Sequence, residues 1–425
     1  MKKVNIGLIG LGTVGTGVVK TLRNFDYINI KKIAVKSLNK KRNIDNLDEA
    51  MLTTDIFSIV NDPEIDIVVE VIGGVNPAFD LLKTAIQNKK HIVTANKELL
   101  AKHGEELFKL ASENNVVIMY EAAVGGGIPI IMPVKMTLSA NRIDKIAAIL
   151  NGTTNYILTK MDEEGADYSE VLAEAQKLGY AETDPTGDVE GFDAAYKIAT
   201  LATIAFKKRV KIQNIHREGI TKISAKDMAY AKQLGYKIKL IALAKMNNNE
   251  ADVRVHPMLV KSNHTLAHIN GVTNAVLLEG FPVGQVILSG PGAGEFPTAS
   301  SVVGDIVAIC SELDQNSTAM LPMMRCCHSE NATPINISDT KNKYYILMDV
   351  NDKPGVIGTI GTICGKHNIN FASLLQKDAT ETEEQSAEVV VITAEAKESD
   401  IQDAINELQS NDCIKEVKSL IRVMD

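Results

Sequence analysis

The 425-residue sequence has no apolar run long enough to span a membrane, so we predict no membrane partner. Its amino terminus, MKKVNIGLIG, is basic and then apolar, but it runs into glycines without a small-residue cleavage pattern. We therefore interpret it as a first strand rather than a signal peptide. Positive charge is not in excess either, because the formal net charge is -8, and we expect no nucleic-acid partner.

Cysteine is also scarce. The five cysteines are odd in number and have no CxxC spacing, and they are Cys310, Cys326, Cys327, Cys364 and Cys413. This pattern favours a reduced, cytoplasmic protein over a disulfide framework, and it leaves the role of the Cys326–Cys327 pair open. The scattered histidines form no HExxH motif, so a zinc site is not predicted.

A glycine-rich turn follows the first predicted strand, residues 4–9. The turn reads Gly10, Leu11, Gly12, Thr13, Val14, Gly15, and a helical pattern continues to Leu22. Strand, GxGxxG turn and helix in this order favour a dinucleotide site, where the pyrophosphate meets the helix amino terminus. The alternative is a glycine-rich turn without a ligand.

The second predicted strand, residues 28–35, ends in Val35 and Lys36. An NAD-selective site usually carries an acidic residue here, to bind the ribose 2′-hydroxyl. Lys36 is followed instead by Lys40, Lys41 and Arg42, which would suit a 2′-phosphate. We expect NADP(H), with NAD(H) or a merely solvated basic loop as the alternatives.

Strands and helices continue to alternate up to about residue 130. Strands are predicted at 65–71, 91–94 and 116–120, and helices at 79–87 and from Lys97 onward. This alternation predicts a doubly wound parallel sheet, which binds ligands at the carboxyl ends of its strands. Several distinctive residues fall at such ends: Gly73, Gly74, Lys97 and Glu121.

The stretch 178–206 is the most informative part of the chain. Its first half holds five carboxylates: Glu182, Asp184, Asp188, Glu190 and Asp193. The second half, residues 194–206, is apolar except for Lys197, which predicts a buried helix. Lys197 lies one helical turn after Asp193, so we predict a desolvated lysine paired with a carboxylate at a functional site. The alternative is an exposed i,i+4 ion pair of little consequence.

The middle of the chain has a different pattern. Strands are predicted at 146–150, 237–244, 251–257 and 275–279, and Asn151-Gly152-Thr153-Thr154-Asn155 precedes a helix starting near Tyr156. A second glycine-rich turn at 289–294 opens a helix at 298–311, which we expect to return to the first domain. The irregular segment 321–343 suits a linker, and the region beyond it reads βαββαβ, a ferredoxin-like order.

With these motifs assembled, the chain resembles the homoserine dehydrogenase family, in its long bacterial form with a carboxy-terminal ACT domain. The motifs that carry the resemblance are GLGTVG at 10–15, TANKELL at 94–100, EAAVGGGIPI at 121–130, NGTTNYIL at 151–158, GYAETDPTGDVEGFDAAYKIA at 179–199, GPGAGEFPTASSVVGD at 290–305 and DKPGVIG at 352–358.

The resemblance implies an α/β protein with three parts. These are a Rossmann domain with a doubly wound parallel sheet, an α+β substrate and catalytic domain, and a ferredoxin-like ACT domain. The implied boundaries are 1–130 for the NADP-binding domain with a return segment at about 295–320, 131–294 for the catalytic and dimerisation domain, 321–343 for the linker and 344–425 for the regulatory ACT domain.

The implied reaction is the reversible NADPH-dependent reduction of L-aspartate 4-semialdehyde to L-homoserine, in threonine, methionine and isoleucine biosynthesis. Lys97 and Lys197 would lie at the reacting carbonyl, with Lys197 as general acid and Asp193 orienting it. The implied substrate-binding residues are Glu182, Asp188, Tyr180, Gly152 and Thr153. The implied cofactor-binding residues are Gly10 to Gly15, Val35, Lys36, Gly73, Thr94, Lys97, Gly292 and Gly294.

Further expectations follow from the same resemblance. Glu121 and the carbonyls of Val124, Gly126 and Ile128 would hold a monovalent cation, Na⁺ or K⁺. The ACT domain would bind L-threonine as an effector near Asp352 and Gly355, and the chain would form a homodimer or homotetramer.

Rival interpretations explain less of the sequence. Prephenate and phosphoglycerate dehydrogenases, which also join Rossmann and ACT domains, do not account for NGTTNY or the Lys197 segment. Aspartate-semialdehyde dehydrogenase needs a nucleophilic cysteine, and no cysteine precedes Cys310. A non-catalytic sensor of NADP or amino acids is a rival of another class, which the set Lys97, Asp193 and Lys197 disfavours.

Overall fold

A computed structural model describes residues 3–314, 330–378 and 386–424 of the chain. The first module is a parallel sheet with the strand order β3-β2-β1-β4-β5-β6, the order of a Rossmann fold. Its strands are β1 Val4–Ile9, β2 Ile28–Ala34, β3 Leu52–Thr53, β4 Ile67–Glu70, β5 His91–Thr94 and β6 Ile118–Met119. Its helices are α1 Thr13–Leu22, α2 Phe57–Val60, α3 Ala78–Gln87 and α4 Lys97–Glu113. The prediction of a doubly wound parallel sheet is confirmed.

The second module is an antiparallel sheet, in the order β12-β11-β7-β9-β10, packed against helices. Its strands are β7 Arg142–Ile149, β8 His216–Arg217, β9 Tyr236–Asn247, β10 Glu250–Lys261, β11 Thr273–Phe281 and β12 Gly284–Pro291. Its helices are α5 Gly152–Glu164, α6 Tyr168–Lys177, α7 Thr186–Val189, α8 Phe192–Phe206 and α9 Ala225–Gln233. Helix α8 is buried along most of its length, as its apolar sequence predicts.

Two predictions in this module were wrong at the boundaries. Helix α5 begins at Gly152, not near Tyr156, because the Asn151 side chain caps it by accepting a hydrogen bond from the Thr154 N–H at 2.9 Å. The predicted glycine-rich turn at 289–294 is a strand in its first half, because β12 extends to Pro291. Ser289 of β12 pairs with Ala275 of β11.

Helix α10, Glu295–Asp314, returns to the first module, as expected, and is longer than predicted. A Cβ atom at Gly17 of α1 would lie 2.4 Å from the Glu295 carbonyl oxygen, so the two helices touch backbone to backbone. By length and composition α10 is the one helix among the described residues that could cross a membrane. Half of its most apolar 18-residue stretch is nevertheless buried inside the protein.

The third module has the βαββαβ order of a ferredoxin-like fold, with the antiparallel sheet order β18-β14-β16-β15. The strands from residue 333 onward are β13 Thr333–Pro334, β14 Lys341–Asn351, β15 Phe371–Asp378, β16 Ser386–Thr393, β17 Ala396–Lys397 and β18 Ile414–Val423. The helices are α11 Val356–Lys366 and α12 Glu398–Gln409. The prediction of a ferredoxin-like module is confirmed.

The predicted linker at 321–343 is in part ordered structure. Thr333–Pro334 pairs with β10, and β14 already begins at Lys341. The rest of the predicted linker up to residue 329, with Cys326 and Cys327, lies outside the described residues.

The second and third modules share one continuous sheet, a joint that the sequence did not predict. One edge of β10 pairs with β9, and the other edge has three short parallel partners. Residues 250–251 pair with β13, residues 254–255 with β8 and residues 258–259 with Arg422 and Val423 of β18. The third module is therefore joined to the second by backbone hydrogen bonds as well as by side chains.

Candidate active site

Asp193 lies between two lysines where the first and second modules meet. Its Oδ1 is 2.6 Å from the Lys97 ammonium, and its Oδ2 is 2.6 Å from the Lys197 ammonium. Lys97 is the first residue of α4, just after β5, whereas Asp193 and Lys197 belong to α8. The Lys197 ammonium also donates to the Leu150 carbonyl at 2.7 Å. The predicted i,i+4 pair is therefore buried rather than an exposed pair.

The charge states of this cluster follow from burial and pairing. Asp193 and Lys197 are each 8% exposed. Burial alone would raise the pKa of Asp193, but the two lysines outweigh it and hold that pKa well below its usual value. Burial lowers the pKa of Lys197, and Asp193 offsets part of that effect. Lys97 is more exposed; burial lowers its pKa, but Asp193 outweighs this and raises it.

Asn151 connects this cluster to a second carboxylate. Its side-chain amide donates to Asp188 Oδ1 at 2.7 Å and to Asp193 Oδ2 at 3.1 Å. The Thr153 hydroxyl lies 3.0 Å from Asp188 Oδ2 and donates to the Tyr180 carbonyl at 2.7 Å. Because Asn151 is the N-cap of α5, the helix start holds both aspartates in place. Asn151 is not among the site residues that the sequence predicts.

Backbone conformation brings Asp188 and Asp193 to the same place. Asp188 is in the short helix α7 and Asp193 is in the first turn of α8. Gly191 joins the two helices in a left-handed conformation, with φ of 77°, which a side chain would strain. A turn this tight directs both carboxylates toward the start of α5.

The other predicted substrate residues have different environments. Glu182 is exposed, and its backbone carbonyl accepts a hydrogen bond from Gln176. The structure therefore does not bring the Glu182 carboxylate into the Asp188–Asp193 cluster. The Tyr180 ring lies against Tyr156, with centroids 4.9 Å apart. Gly152 is required for packing, since a Cβ there would lie 2.8 Å from the Val272 carbonyl.

The predicted nucleotide turn has the geometry of a dinucleotide-binding loop. Gly10 has φ of 108°, and a Cβ at Gly15 would lie 2.1 Å from the Gly10 carbonyl. A Cβ at Gly12 would meet nothing within 4 Å, so space is open above the turn. Thr13 and Val14 begin α1, and Leu11 packs at the edge of the core. The turn thus leaves its helix amino terminus accessible to a pyrophosphate.

The basic loop after β2 lies beside this turn in the sheet, because β1 and β2 are paired. Val35 is buried and its N–H donates to Thr53, whereas Lys36 is exposed. The Arg42 guanidinium donates to the carbonyls of Ser37 and Lys40, at 2.5 and 2.8 Å. Arg42 therefore shapes the loop around Lys36.

The ends of β4 and β5 are held together by a buried carboxylate that sequence analysis missed. Glu70 Oε2 accepts the Thr94 hydroxyl at 2.6 Å, and Glu70 Oε1 accepts the N–H of Gly73 at 3.1 Å. The Asn96 side chain donates to the Gly74 carbonyl at 2.7 Å and caps α4, the helix that begins with Lys97. These contacts place Lys97 toward the second module.

The predicted cation residues lie where α10 meets the second module. The Glu121 carboxylate accepts three backbone N–H groups, from Ile130, Ile131 and Met132, at 2.5 to 2.7 Å. Burial raises the pKa of Glu121, and these three bonds offset part of the rise. The carboxylate is therefore directed at a chain turn, and the role of Glu121 at a cation site stays a prediction. Among the described residues, no cluster of three or more acidic, histidine or cysteine side chains could hold a metal.

The backbone around the predicted carbonyl ligands is close-packed. A Cβ at Gly126 would lie 2.2 Å from the Gly292 carbonyl, and the Gly126 carbonyl accepts the Ser301 hydroxyl at 2.7 Å. Val124 and Ile128 are buried beside it. Gly294 has φ of 124° directly before α10. The second glycine-rich stretch thus lies against the EAAVGGG segment.

The predicted regulatory residues lie at the start of α11 in the third module. Gly355 is the N-cap of α11 with φ of 95°, and Asp352 is exposed in the turn before it. Both residues therefore lie in the turn between β14 and α11.

Comparison with known proteins agrees with this architecture. Residues 10–121 match the family described as the homoserine dehydrogenase NAD-binding domain, residues 129–307 match homoserine dehydrogenase, and residues 344–413 match the ACT domain. A homoserine dehydrogenase from Synechocystis sp. is 47% identical over 435 residues, covering 99% of each chain.

Two solved structures are similar as well. A homoserine dehydrogenase from Thiobacillus denitrificans superposes with a TM-score of 0.92 at 38% identity, covering 100% of this chain and 99% of the other. A hyperthermophilic archaeal homoserine dehydrogenase in complex with NADPH has a TM-score of 0.63 at 29% identity, covering 73% of this chain and 98% of the other. The chain therefore belongs to the homoserine dehydrogenase family, oxidoreductases of amino-acid biosynthesis, and it joins an NAD-binding domain and a catalytic domain to an ACT domain.

Proposed function

We propose that this chain catalyses the reversible reduction of L-aspartate 4-semialdehyde to L-homoserine with NADPH. The observation that carries the proposal is the buried Asp193 carboxylate, which holds Lys97 from the nucleotide-binding module beside Lys197 from the catalytic module. The proposed pathway role is a step toward threonine, methionine and isoleucine, in the cytoplasm.

The two lysines have different roles in this proposal. When bound, a reduced nicotinamide would supply the hydride for the aldehyde carbon. Lys197 donates a proton to the aldehyde oxygen, because burial lowers its pKa toward the range where an ammonium is an effective acid. Asp193 and the Leu150 carbonyl accept two of its three N–H bonds, which leaves one for the substrate oxygen. Lys97 stabilises the developing negative charge on that oxygen.

Asp188 is the residue that we propose as partner for the substrate ammonium. Its two oxygens are fixed by Asn151 and Thr153, beside the lysine pair. Gly152 and Tyr180 line the same end of α5 in this proposal. Glu182 lies at the exposed rim, where it would reach the substrate only after the loop moves.

The proposed cofactor residues lie in the loops at the carboxyl ends of the parallel strands. We propose that Gly10 to Gly15 cradle the pyrophosphate, that Val35 and Lys36 meet the adenosine ribose, and that Gly73, Thr94 and Lys97 border the nicotinamide. Gly292 and Gly294 would approach the cofactor from the side of α10. The exposed Lys36 favours a 2′-phosphate, and the archaeal family member was solved with NADPH. NAD(H) is the alternative.

The proposed domain boundaries are those of the sequence, with one amendment. The NADP-binding domain is 1–130 with a return at about 295–320, and the catalytic and dimerisation domain is 131–294. The ACT domain starts at Lys341, where β14 begins. The exposed apolar side chains Phe281, Val283 and Ile287 on the β11–β12 hairpin support a homodimer or homotetramer through this edge.

A monovalent cation, Na⁺ or K⁺, remains a proposal that rests on the carbonyls of Val124, Gly126 and Ile128. Glu121 belongs to the same proposed site, and its carboxylate would also hold the surrounding backbone through its three N–H contacts. Replacing Na⁺ and K⁺ by choline should lower both activity and the melting temperature. Unchanged values in choline would remove the cation from the proposal.

L-Threonine is the proposed effector, at Asp352 and Gly355 of the ACT domain. A zwitterion could place its carboxylate at the amino terminus of α11. Threonine should lower the rate of the full chain, and Asp352→Asn should weaken this effect.

The decisive experiment is a steady-state assay with homoserine and either NADP⁺ or NAD⁺, followed at the nicotinamide absorbance band. We expect homoserine-dependent reduction of NADP⁺, and the reverse reaction with aspartate 4-semialdehyde and NADPH. Nucleotide binding without turnover of either substrate would instead favour the non-catalytic sensor.

A further inference from the structure

The catalytic domain holds a further buried lysine that the proposed mechanism does not use. Lys239 of β9 is 2% exposed. In the described part of the chain its ammonium donates to neutral oxygens: the Ile269 carbonyl at 2.7 Å, the side chains of Asn155 and Asn270 at 3.1 Å each, and the Thr159 hydroxyl at 3.5 Å. Burial lowers its pKa to about 8, so the ammonium form still predominates at neutral pH. A charge buried at this cost points to a role beyond packing.

We propose that Lys239 is a positioning residue for the reaction. Through Asn155 it holds the segment 269–273 against the start of α5, and the start of α5 in turn holds the carboxylates of the site. Lys239 itself touches neither substrate nor cofactor in this proposal. The inference rests on the proposed function, because it assigns the carboxylates to the binding of substrate.

Lys239 fixes the orientation of the Asn155 amide. An ammonium has only donors, so Asn155 must turn its oxygen toward Lys239 and its amide N–H groups away. In that orientation the Asn155 nitrogen donates toward three carbonyls, those of Ile269 and Gly271 at 3.0 Å and that of Thr273 at 3.1 Å. One side chain of α5 thereby binds the whole segment that leads into β11.

Thr159 of α5 adds a second attachment to the same segment. Its hydroxyl accepts the Gly271 N–H at 3.2 Å and donates to the Asn155 carbonyl at 2.6 Å. Gly271 has φ of 61°, a left-handed conformation, so the segment turns at this residue. Because α5 binds both the N–H and the carbonyl of Gly271, the turn and the helix are fixed relative to each other.

The segment reaches the substrate-binding end of α5 at Val272. A Cβ at Gly152 would lie 2.8 Å from the Val272 carbonyl oxygen, so the two backbones touch. Gly152 follows Asn151, whose side chain donates to both Asp188 and Asp193. A segment that is no longer held would therefore free the first turn of α5, and the two aspartates would lose their fixed positions.

The test begins with Lys239→Met, which keeps an unbranched side chain of similar length but removes the charge and the donors. Steady-state kinetics of the full chain with homoserine and NADP⁺ give the two KM values separately. We expect kcat/KM for homoserine to fall at least about tenfold, mainly through KM, because Asp188 is the proposed partner of the substrate ammonium. The KM for NADP⁺ should stay within about twofold.

Lys90 of the nucleotide-binding domain provides a matched control. It is 3% exposed, and its ammonium donates to the carbonyls of Ile65, at 2.8 Å, and Asp62. It directly precedes β5, at the end of that strand opposite to the one that leads to Lys97. Lys90→Met therefore removes a buried ammonium of the same kind away from the site. Its melting temperature should fall, while kcat/KM for homoserine should stay within about twofold.

Asn155→Asp separates positioning from the burial of the lysine charge. The new carboxylate gives Lys239 an ionic partner, but when ionised it has no donor for the three carbonyls. We expect kcat/KM for homoserine to fall at least about tenfold, with an unchanged circular dichroism spectrum. This variant also decides the question if Lys239→Met does not fold.

Two outcomes in a chain that oxidises homoserine would overturn the inference and leave the proposed function intact. One is a kcat/KM for homoserine within about twofold of the unmodified value in folded Lys239→Met or Asn155→Asp. The other is an equal loss in Lys90→Met, which would trace the effect to stability alone. If the unmodified chain does not oxidise homoserine with either nucleotide, the proposed function fails and this inference fails with it.

Discussion

The Lys197 ammonium lies 2.6 Å from Asp193 Oδ2, one turn earlier in the same buried helix. Replacing Lys197 with Ala should lower kcat by roughly 10²–10⁴-fold, the usual contribution of a general acid. The fold should persist, because Lys97 still neutralises Asp193 at 2.6 Å. Steady-state rates across pH, with circular dichroism as the folding control, test this. A near-normal kcat at every pH would exclude Lys197 as the acid.

Asn151 has two functions that two substitutions can separate. Asn151→Asp keeps an oxygen for the Thr154 N–H, so the cap of α5 survives, but it places a third carboxylate beside Asp188 and Asp193. We expect kcat/KM to fall by about 10–100-fold, with a small change in melting temperature. Asn151→Ala should lose activity and also about 1 kcal/mol of stability, because the cap is lost. Equal activity of the aspartate variant and the unmodified chain would contradict the proposed arrangement.

Lys36 should determine the nucleotide preference. Lys36→Asp replaces a cation with a group that can accept the ribose 2′-hydroxyl and repel a 2′-phosphate, so preference should shift toward NAD(H). The ratio of kcat/KM values for NADP⁺ and NAD⁺ measures the shift. Lys109→Asp, an exposed site on α4, is the charge-matched control and should keep the original ratio. If the unmodified chain already prefers NAD⁺, the basic loop does not bind a 2′-phosphate and is only a solvated surface.

Glu218 should contribute stability that depends on pH. Burial alone would raise its pKa, but His216 and Arg422 outweigh burial and lower the pKa to about 2. A carboxyl whose pKa is lower in the folded than in the unfolded chain stabilises the fold above its unfolded pKa of about 4.3, and this contribution is lost as pH falls toward 2.

Melting temperatures from about pH 6 to about pH 3.5 test this pH dependence. Glu218→Gln should melt lower than the unmodified chain near pH 6, and the gap should narrow as pH falls. A gap that stays constant would show that the carboxylate's ionisation is not coupled to folding.

A chain cut after Thr340 should be less stable in its remaining part. The cut removes β18 from the edge of β10 and takes Asn342 from Arg254, which is 1% exposed. A buried group that loses its partner costs about 1–3 kcal/mol, and the melting temperature should fall by about 2–12 °C. Calorimetry of both chains measures this. An unchanged melting temperature would mean that the ACT domain is an independent unit, as the linker in the sequence suggested.

Local patterns predicted much of the fold. The apolar strand runs, the GxGxxG turn and the i,i+4 pair of Asp193 and Lys197 all depend on neighbours in the chain, and the structure has each of them. The start of α5 was missed because Gly152 and Thr153 favour helices weakly, and the cap at Asn151 overrides that preference.

Local sequence patterns could not predict the contacts between segments that are distant along the chain. Nothing near Lys97 indicates that it meets Asp193, and Glu70 reads as one more polar residue at a strand end. The pairing of β10 with Arg422 and Val423 joins residues more than a domain apart along the chain. The roles proposed for the site residues rest on the resemblance together with these distances.

The sheet shared by the second and third modules has a consequence for folding during synthesis. Val423 of β18 is synthesised long after β10, and domains usually fold in the order of their synthesis. The β10 edge of the catalytic domain gains this parallel partner only after the ACT domain has been synthesised. A chain that terminates early would keep the nucleotide-binding domain and the lysine pair, yet expose an unpaired strand edge to aggregation and proteolysis.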